Sequence, residues 1–273
     1  MKAKRFTYLA TTLFSFGIVS CSKSGNNTPV TPSGTGKCTL NQISYTTQFE
    51  LADVPVTANV NYNGNQIESI TPLPYKFQYL YINGKVVRRN YYDGNKLFYY
   101  DSLSYNSNGR LSLLKGYKGN SRVDSNVYRY NNEFLVKIDY YHQDSAHAGP
   151  LYHSYDNFSF SKSGLLTNVN RFDSDGLLYN SYTYSYGTKP NLLYNDNSNI
   201  HIYFQLSDYL YGNQQNIFYD GFLKSKYLPE GISYTDDSGT KNYTLTYQLN
   251  TNGYPTEVRA NGVPVIHFQY GCQ

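Results

Sequence analysis

Apolar and polar residues alternate with a period of two along most of this chain, and Asn-Gly or Asp-Gly pairs separate the alternating runs. Over 242–249, Tyr243, Leu245, Tyr247 and Leu249 share one face, while Asn242, Thr244, Thr246 and Gln248 share the other. The same split appears with Ile266, Phe268 and Tyr270, with Phe134, Val136, Ile138 and Tyr140, and with Leu178, Tyr182, Tyr184 and Tyr186. Successive side chains of a strand point to opposite faces, so the pattern predicts an antiparallel sheet with one packed and one solvated side. The pairs ending at Gly64, Gly84, Gly94, Gly109, Gly176, Gly221, Gly253 and Gly262 accept the positive φ that tight hairpin turns require. Strands are expected near 39–46, 54–62, 66–71, 75–82, 85–92, 96–105, 110–117, 122–130, 134–141, 151–161, 165–172, 177–186, 231–236, 241–250, 254–260 and 263–270. A single sheet this wide must curl, split or close. The predicted fold is therefore all-β: an antiparallel up-and-down meander closing into a barrel-like sheet.

The alternation breaks over 187–230. Pro190 and the Asn195–Asn199 cluster open an excursion in which Ile202, Phe204, Leu206, Leu210 and Tyr211 suit a short helix or another strand. A structureless loop this long is unusual in a compact domain. A barrel of many strands also has a lumen too wide for its wall side chains to fill. The segment is thus expected to be an irregular or partly helical insertion that plugs the interior, with a surface excursion as the alternative.

Lys2, Lys4 and Arg5 precede a short apolar run, Phe6 to Val19, that ends in Ile18-Val19-Ser20-Cys21. The run is too short to span a membrane and has the order of a signal peptide. Its end resembles the lipobox of bacterial lipoproteins. That resemblance implies cleavage before Cys21, acylation of its thiol and, with Ser22 following, sorting to the outer membrane. The alternative is an ordinary secretory signal with an incidental cysteine. Residues 1–20 are thus read as signal peptide. Residues 21–37, with one aliphatic side chain, are read as a flexible tether. Residues 38–273 are read as a single β domain.

Three cysteines follow from this reading: Cys21, Cys38 and Cys272. If Cys21 carries lipid, the other two sit in an oxidising compartment, one beside the first strand and one at the end of the last. A Cys38–Cys272 disulfide is expected, with two unpaired buried thiols as the alternative. Because bridged Cα atoms lie within about 7 Å, the pairing makes the first and last strands neighbours. The signal holds three of the 23 basic residues, so against 19 acidic ones the remainder is near neutral. That balance argues against nucleic acid as a partner. Tyrosine numbers 33 and tryptophan none; tyrosine suits half-buried strand positions, with its ring packed and its hydroxyl wet.

The units Tyr105-Asn-Ser-Asn-Gly-Arg-Leu111, Phe172-Asp-Ser-Asp-Gly-Leu-Leu178 and Leu249-Asn-Thr-Asn-Gly-Tyr254 resemble the YD-type repeats of large bacterial surface proteins. Together, the lipobox, the tether, Cys38 and the final Phe268-Gln-Tyr-Gly-Cys272 resemble a smaller group. These are Gram-negative lipoproteins of unknown function with a porin-like β fold. The resemblance implies a barrel and no known catalytic residues. Unlike a porin, this chain places Asn, Ser, Thr, Lys and Asp on the expected outer face, where a lipid-facing barrel carries an apolar band.

Candidate chemistry is sparse. His142, His147 and His153 surround one loop near Asp139 and Asp144, but without compact metal-ligand spacing. The remaining histidines are His201 and His267. Asp173–Gly176 and Asp236–Gly239 suggest calcium loops but lack the later acidic ligands and suit turns instead. No catalytic triad elbow, phosphate loop or cofactor fingerprint occurs. Tyr91-Tyr92, Tyr99-Tyr100 and Tyr140-Tyr141 each place one ring on either face, as binding platforms or as cross-strand ladders. The expectation is a membrane-anchored envelope lipoprotein that needs no cofactor or metal. It would bind a glycan, a small ligand or an envelope protein, with a polysaccharide hydrolase or a purely structural protein as alternatives.

Overall fold

The computed structural model describes residues 38–45, 56–72, 75–142, 151–192 and 225–272. The expected signal peptide, Cys21, the expected tether and residues 193–224 of the expected insertion lie outside them. The first four strands are β1 (Cys38–Tyr45), β2 (Val56–Asn63), β3 (Gln66–Pro72) and β4 (Tyr75–Ile82). β5 (Lys85–Asp93), β6 (Lys96–Tyr105), β7 (Leu111–Lys118) and β8 (Ser121–Asn131) follow. Then come β9 (Phe134–His142), β10 (Leu151–Phe160), β11 (Leu166–Asp173) and β12 (Leu178–Pro190). The last are β13 (Tyr227–Asp236), β14 (Gly239–Leu249), β15 (Pro255–Ala260) and β16 (Val263–Cys272). Each pairs antiparallel with its sequence neighbour, and β1 pairs with β16, so the sheet is a closed barrel. At the first rung of that closure Cys38 faces Cys272, with Cα atoms 4.1 Å apart and the sulfurs bonded.

Turn chemistry explains the regularity. The Asn-Gly and Asp-Gly glycines at 64, 84, 94, 109, 176, 253 and 262 have φ between 55° and 83°, the left-handed region that glycine enters without steric cost; Gly221 lies outside the described residues. The repeat units share one hydrogen-bonded turn. In Asn106–Arg110 the first and last residues pair N–H to C=O, Gly109 N–H donates to Asn106 C=O, and the Asn106 side chain accepts from Arg110 N–H. Asp173–Leu177, Asn250–Tyr254 and Ser161–Leu165 repeat the arrangement.

At the end of the barrel where even-numbered strands finish, tyrosine latches recur. Tyr62, Tyr81, Tyr105 and Tyr130, each at the end of an even-numbered strand, donate their hydroxyls to the carbonyls of Leu40, Ile67, Val86 and Leu111 on the preceding strand. Tyr247 and Tyr270 do the same to Pro229 and Pro255. Beneath them lies one apolar core fed by every strand, with Val86, Leu166, Leu228 and Val258 fully buried. The outward face is polar and bonded across strands, as in Gln42–Asn59, Ser44–Thr57, Asn168–Thr183 and Ser233–Asn242.

The edges of the predicted insertion need correction. β12 continues to Pro190 and β13 starts at Tyr227, so both strands extend into the 187–230 segment. Register shifts around Tyr186 absorb the irregular residues. At Gly187 a Cβ would meet the Glu230 carboxylate at 1.8 Å, so a larger residue there would displace the Glu230 side chain.

Candidate functional site

Toward the end of the barrel opposite the tyrosine latches, the interior opens into a cavity of about 480 Å³. Its polar walls come from β5 to β12. On β5 and β6, Arg89 and Asp101 are direct cross-strand partners. Arg89 Nε donates to Asp101 Oδ2 at 2.7 Å, and Tyr91 donates to the same oxygen at 2.6 Å. On β10 and β11, Asp156 and Arg171 are likewise partners, 3.2 Å apart, and Tyr140 of β9 donates to Asp156 Oδ2 at 2.9 Å. Both arginines and both aspartates are buried. Each guanidinium also lies over a ring: Arg89 5.1 Å from the Tyr91 centroid and Arg171 5.4 Å from that of Tyr182. Buried charge is tolerated because each is paired and further hydrogen-bonded.

Between the two pairs stands Asp124 of β8. The Tyr99 hydroxyl is 2.8 Å from each of its carboxylate oxygens. Space for this contact comes from Gly116 on β7, where a Cβ would lie 1.7 Å from the Tyr99 hydroxyl and 2.0 Å from Asp124 Oδ1. Burial pushes the Asp124 carboxyl above the usual carboxylate range. The Tyr99 hydrogen bond opposes that, neighbouring Asp101 adds to it, and His142 and Arg89 oppose it. Burial likewise drives the Tyr91 and Tyr99 hydroxyls far up, so both remain neutral donors. Behind them Phe77, Tyr91 and Tyr99 pack edge to face, with centroids 4.9 and 5.1 Å apart.

The residues singled out from the sequence are partly brought together. His142 and His153 line the cavity, and His142 faces Asp124 across the β8–β9 pair. Asp139 does not join them. It faces outward, bonded to Arg129 Nε at 2.6 Å and to Lys137 Nζ at 2.7 Å. His147, Asp144 and His201 lie outside the described residues, and His267 lies 3.5 Å from Glu257 on the other side of the barrel. Among the described residues no group of three or more metal-ligating side chains occurs. The Asp173 and Asp236 carboxylates accept local N–H groups within their turns.

Of the tyrosine pairs, Tyr91 and Tyr99 turn inward while Tyr92 and Tyr100 turn outward, where Tyr100 stacks on Tyr117 under Arg88. Tyr140 and Tyr141 both line the cavity. Sequence reasoning missed Arg89, Asp101, Asp124, Asp156 and Arg171. The available signal was charge at inward positions of otherwise apolar runs.

No protein-family model and no curated protein matches the chain. Among solved structures, a porin-like protein from Bacteroides vulgatus ATCC 8482 is similar over 85% of this chain and 98% of its own, at 16% identity and a TM-score of 0.42. A porin-like protein from Bacteroides uniformis ATCC 8492 is similar over 84% and 95%, at 14% identity and a TM-score of 0.37. TcdB2-TccC3 without its hypervariable C-terminal region is similar over 77% of this chain and 10% of its own, at 10% identity and a TM-score of 0.30.

Proposed function

We propose that this protein is a non-enzymatic envelope lipoprotein, anchored to the outer membrane through lipid on Cys21, whose barrel binds a small polar ligand or the end of a glycan in its interior cavity. One observation carries the binding reading: beside an apolar core to which every described strand contributes, an open volume is walled by tyrosines and by two buried Arg–Asp pairs. Its size falls in the range of small-molecule sites, and convergent polar groups on an aromatic wall suit a polar ligand. The anchoring reading rests on the lipobox-like Ile18–Cys21. It is supported by the hydrogen-bonded polar pairs outside the barrel, which suit water better than acyl chains.

Two measurements test these parts separately. Metabolic labelling with a fatty acid is expected to mark the full chain and not Cys21→Ala; equal labelling overturns the anchor. A glycan and metabolite screen on the full-length protein is expected to return ligands that Gly116→Val or Asn126→Leu abolishes. An empty screen, or ligands indifferent to both variants, overturns the binding site.

The hydrolase reading has one observation in its favour. Asp124, with its raised pKa, lies within electrostatic reach of Asp101, which pairs with Arg89, and glycosidases pair a protonated with an ionised carboxyl. Substrate turnover in the same screen, lost in Asp124→Asn and in Asp101→Asn, would establish it in place of simple binding.

A further inference from the structure

Three carboxylates and two guanidiniums line the cavity, and they are not evenly matched. Asp101 is bonded to Arg89 and Asp156 to Arg171. Asp124 makes no ion pair among the described residues. Its hydrogen bond comes from a neutral phenol, Tyr99, and the residue facing it across the strand pair is His142. Gly116 makes the room that this Tyr99–Asp124 contact fills, since a Cβ there would collide with both side chains. The cavity that holds this unmatched charge is rich in tyrosine, with Tyr91, Tyr99, Tyr140, Tyr141 and Tyr179 in its lining beside Asn126, Ser154, His142 and His153.

A carboxylate set among tyrosine rings has the chemistry that recognises an organic cation. The ring faces attract positive charge, and a desolvated site strengthens both that attraction and the Coulomb term. The same tyrosine wall already carries a cation, since Arg89 lies over Tyr91. An anion would find both guanidiniums bonded to aspartates.

We propose that the cavity takes a ligand bearing an ammonium group, a primary or quaternary amine on an otherwise polar body, with Asp124 as its counter-ion. The proposal rests on the binding reading above and specifies the charge of what is bound.

Two probes of nearly equal shape isolate the charge: tetramethylammonium, and tert-butanol as its uncharged counterpart. Ligand-observed saturation-transfer NMR on the full-length protein is expected to show tetramethylammonium binding about tenfold more tightly or better, a gap of ~1.4 kcal/mol. Asp124→Asn, which keeps an acceptor for Tyr99, should abolish the preference. Asp139→Asn, on the outer face, should retain it, and Gly116→Val should lose both probes. Equal binding of the two probes, no binding of tetramethylammonium, or a preference that survives Asp124→Asn overturns the assignment. Failure of the binding reading looks different. An empty metabolite screen removes the site altogether, whereas a screen whose cavity ligands are all neutral or anionic removes only the cation.

Discussion

The barrel has two unlike halves. From β13 through the closure to β4, inward positions are apolar or tyrosine throughout: Ile232, Leu245, Val258, Phe268, Ile43, Val60, Ile70 and Phe77. From β5 to β12 the same wall is apolar near the tyrosine latches, at Val86, Leu111 and Leu166, and polar toward the other end, at Arg89, Asp101, Asp124, Asp156 and Arg171. Hydrophobic burial alone closes the first half, with a disulfide across its seam. The second half gives up apolar burial for charged pairs, which on average stabilise no better than hydrophobic residues of similar volume. A fold that needed only to close would gain nothing from that exchange. The polar half is therefore where function is to be sought.

The largest expected effect lies at the seam. The Cys38–Cys272 bond spans a sequence separation of 234, and the chain-entropy account gives such a loop roughly 5 kcal/mol. Cys38→Ser should lower stability toward that value while leaving ligand binding in the opposite half intact, as read by urea unfolding and by the screen. If binding fell in proportion to stability, the two halves would not be separable.

Next is the charged pair in the polar half. Arg89→Ala leaves Asp101 buried with its cation removed, and should cost about 3–5 kcal/mol. Replacing both partners, Arg89→Met with Asp101→Leu, should recover most of that loss and abolish binding. A double variant as unstable as the single one would mean that the pair serves the fold and not the site. A smaller effect is expected where the halves are alike. Tyr62→Phe in the apolar half and Tyr130→Phe in the polar half each remove one latch to a backbone carbonyl, and each should cost about 1 kcal/mol. A clear difference between them would show that the latched end also distinguishes the halves.

The apolar half was largely legible in the sequence, because a period of two and glycine turns are local signals. The limits of β12 and β13 were not. Pro190 reads as the opening of an excursion, yet it ends a strand whose pairing absorbs Gly187 and Pro229 in register shifts, and no local rule distinguishes the two cases. The polar half was hidden for a related reason. In Lys85–Asp93 a strict alternation puts Val86 with Arg88 and Asn90, but a shift between Leu80 and Tyr81 puts Val86 inside with Arg89 and Tyr91. One displaced residue decides which arginine enters the cavity. Its partner Asp101 lies 12 residues away and becomes a neighbour only once the β5–β6 register is known. The bridging cysteines, by contrast, flank the first and last strands and need no knowledge of register.

The smallest effect is also the most discriminating, because it differs in sign between the inside and the outside of the polar half. Burial raises the Asp124 carboxyl, with Asp101 adding and Tyr99, His142 and Arg89 opposing. The folded protein therefore holds that proton more tightly than the unfolded chain. Stability is lost as pH climbs from the ordinary carboxylate range through the raised value. For Asp139 burial acts the same way but is outweighed by the hydrogen bonds and charges of Lys137 and Arg129, so its carboxyl lies below the usual range. Its contribution is present above the unfolded value and is lost as pH falls through the folded one. Urea midpoints from pH 3 to 7 should accordingly diverge. Relative to wild type, Asp124→Asn should gain stability as pH rises, and Asp139→Asn should lose it. A bound ammonium ligand should reverse the first trend alone, since it supplies the positive charge that Asp124 lacks and makes ionisation favourable. If both variants followed wild type in parallel with the ligand present and absent, Asp124 would not be the unmatched charge on which the site is built.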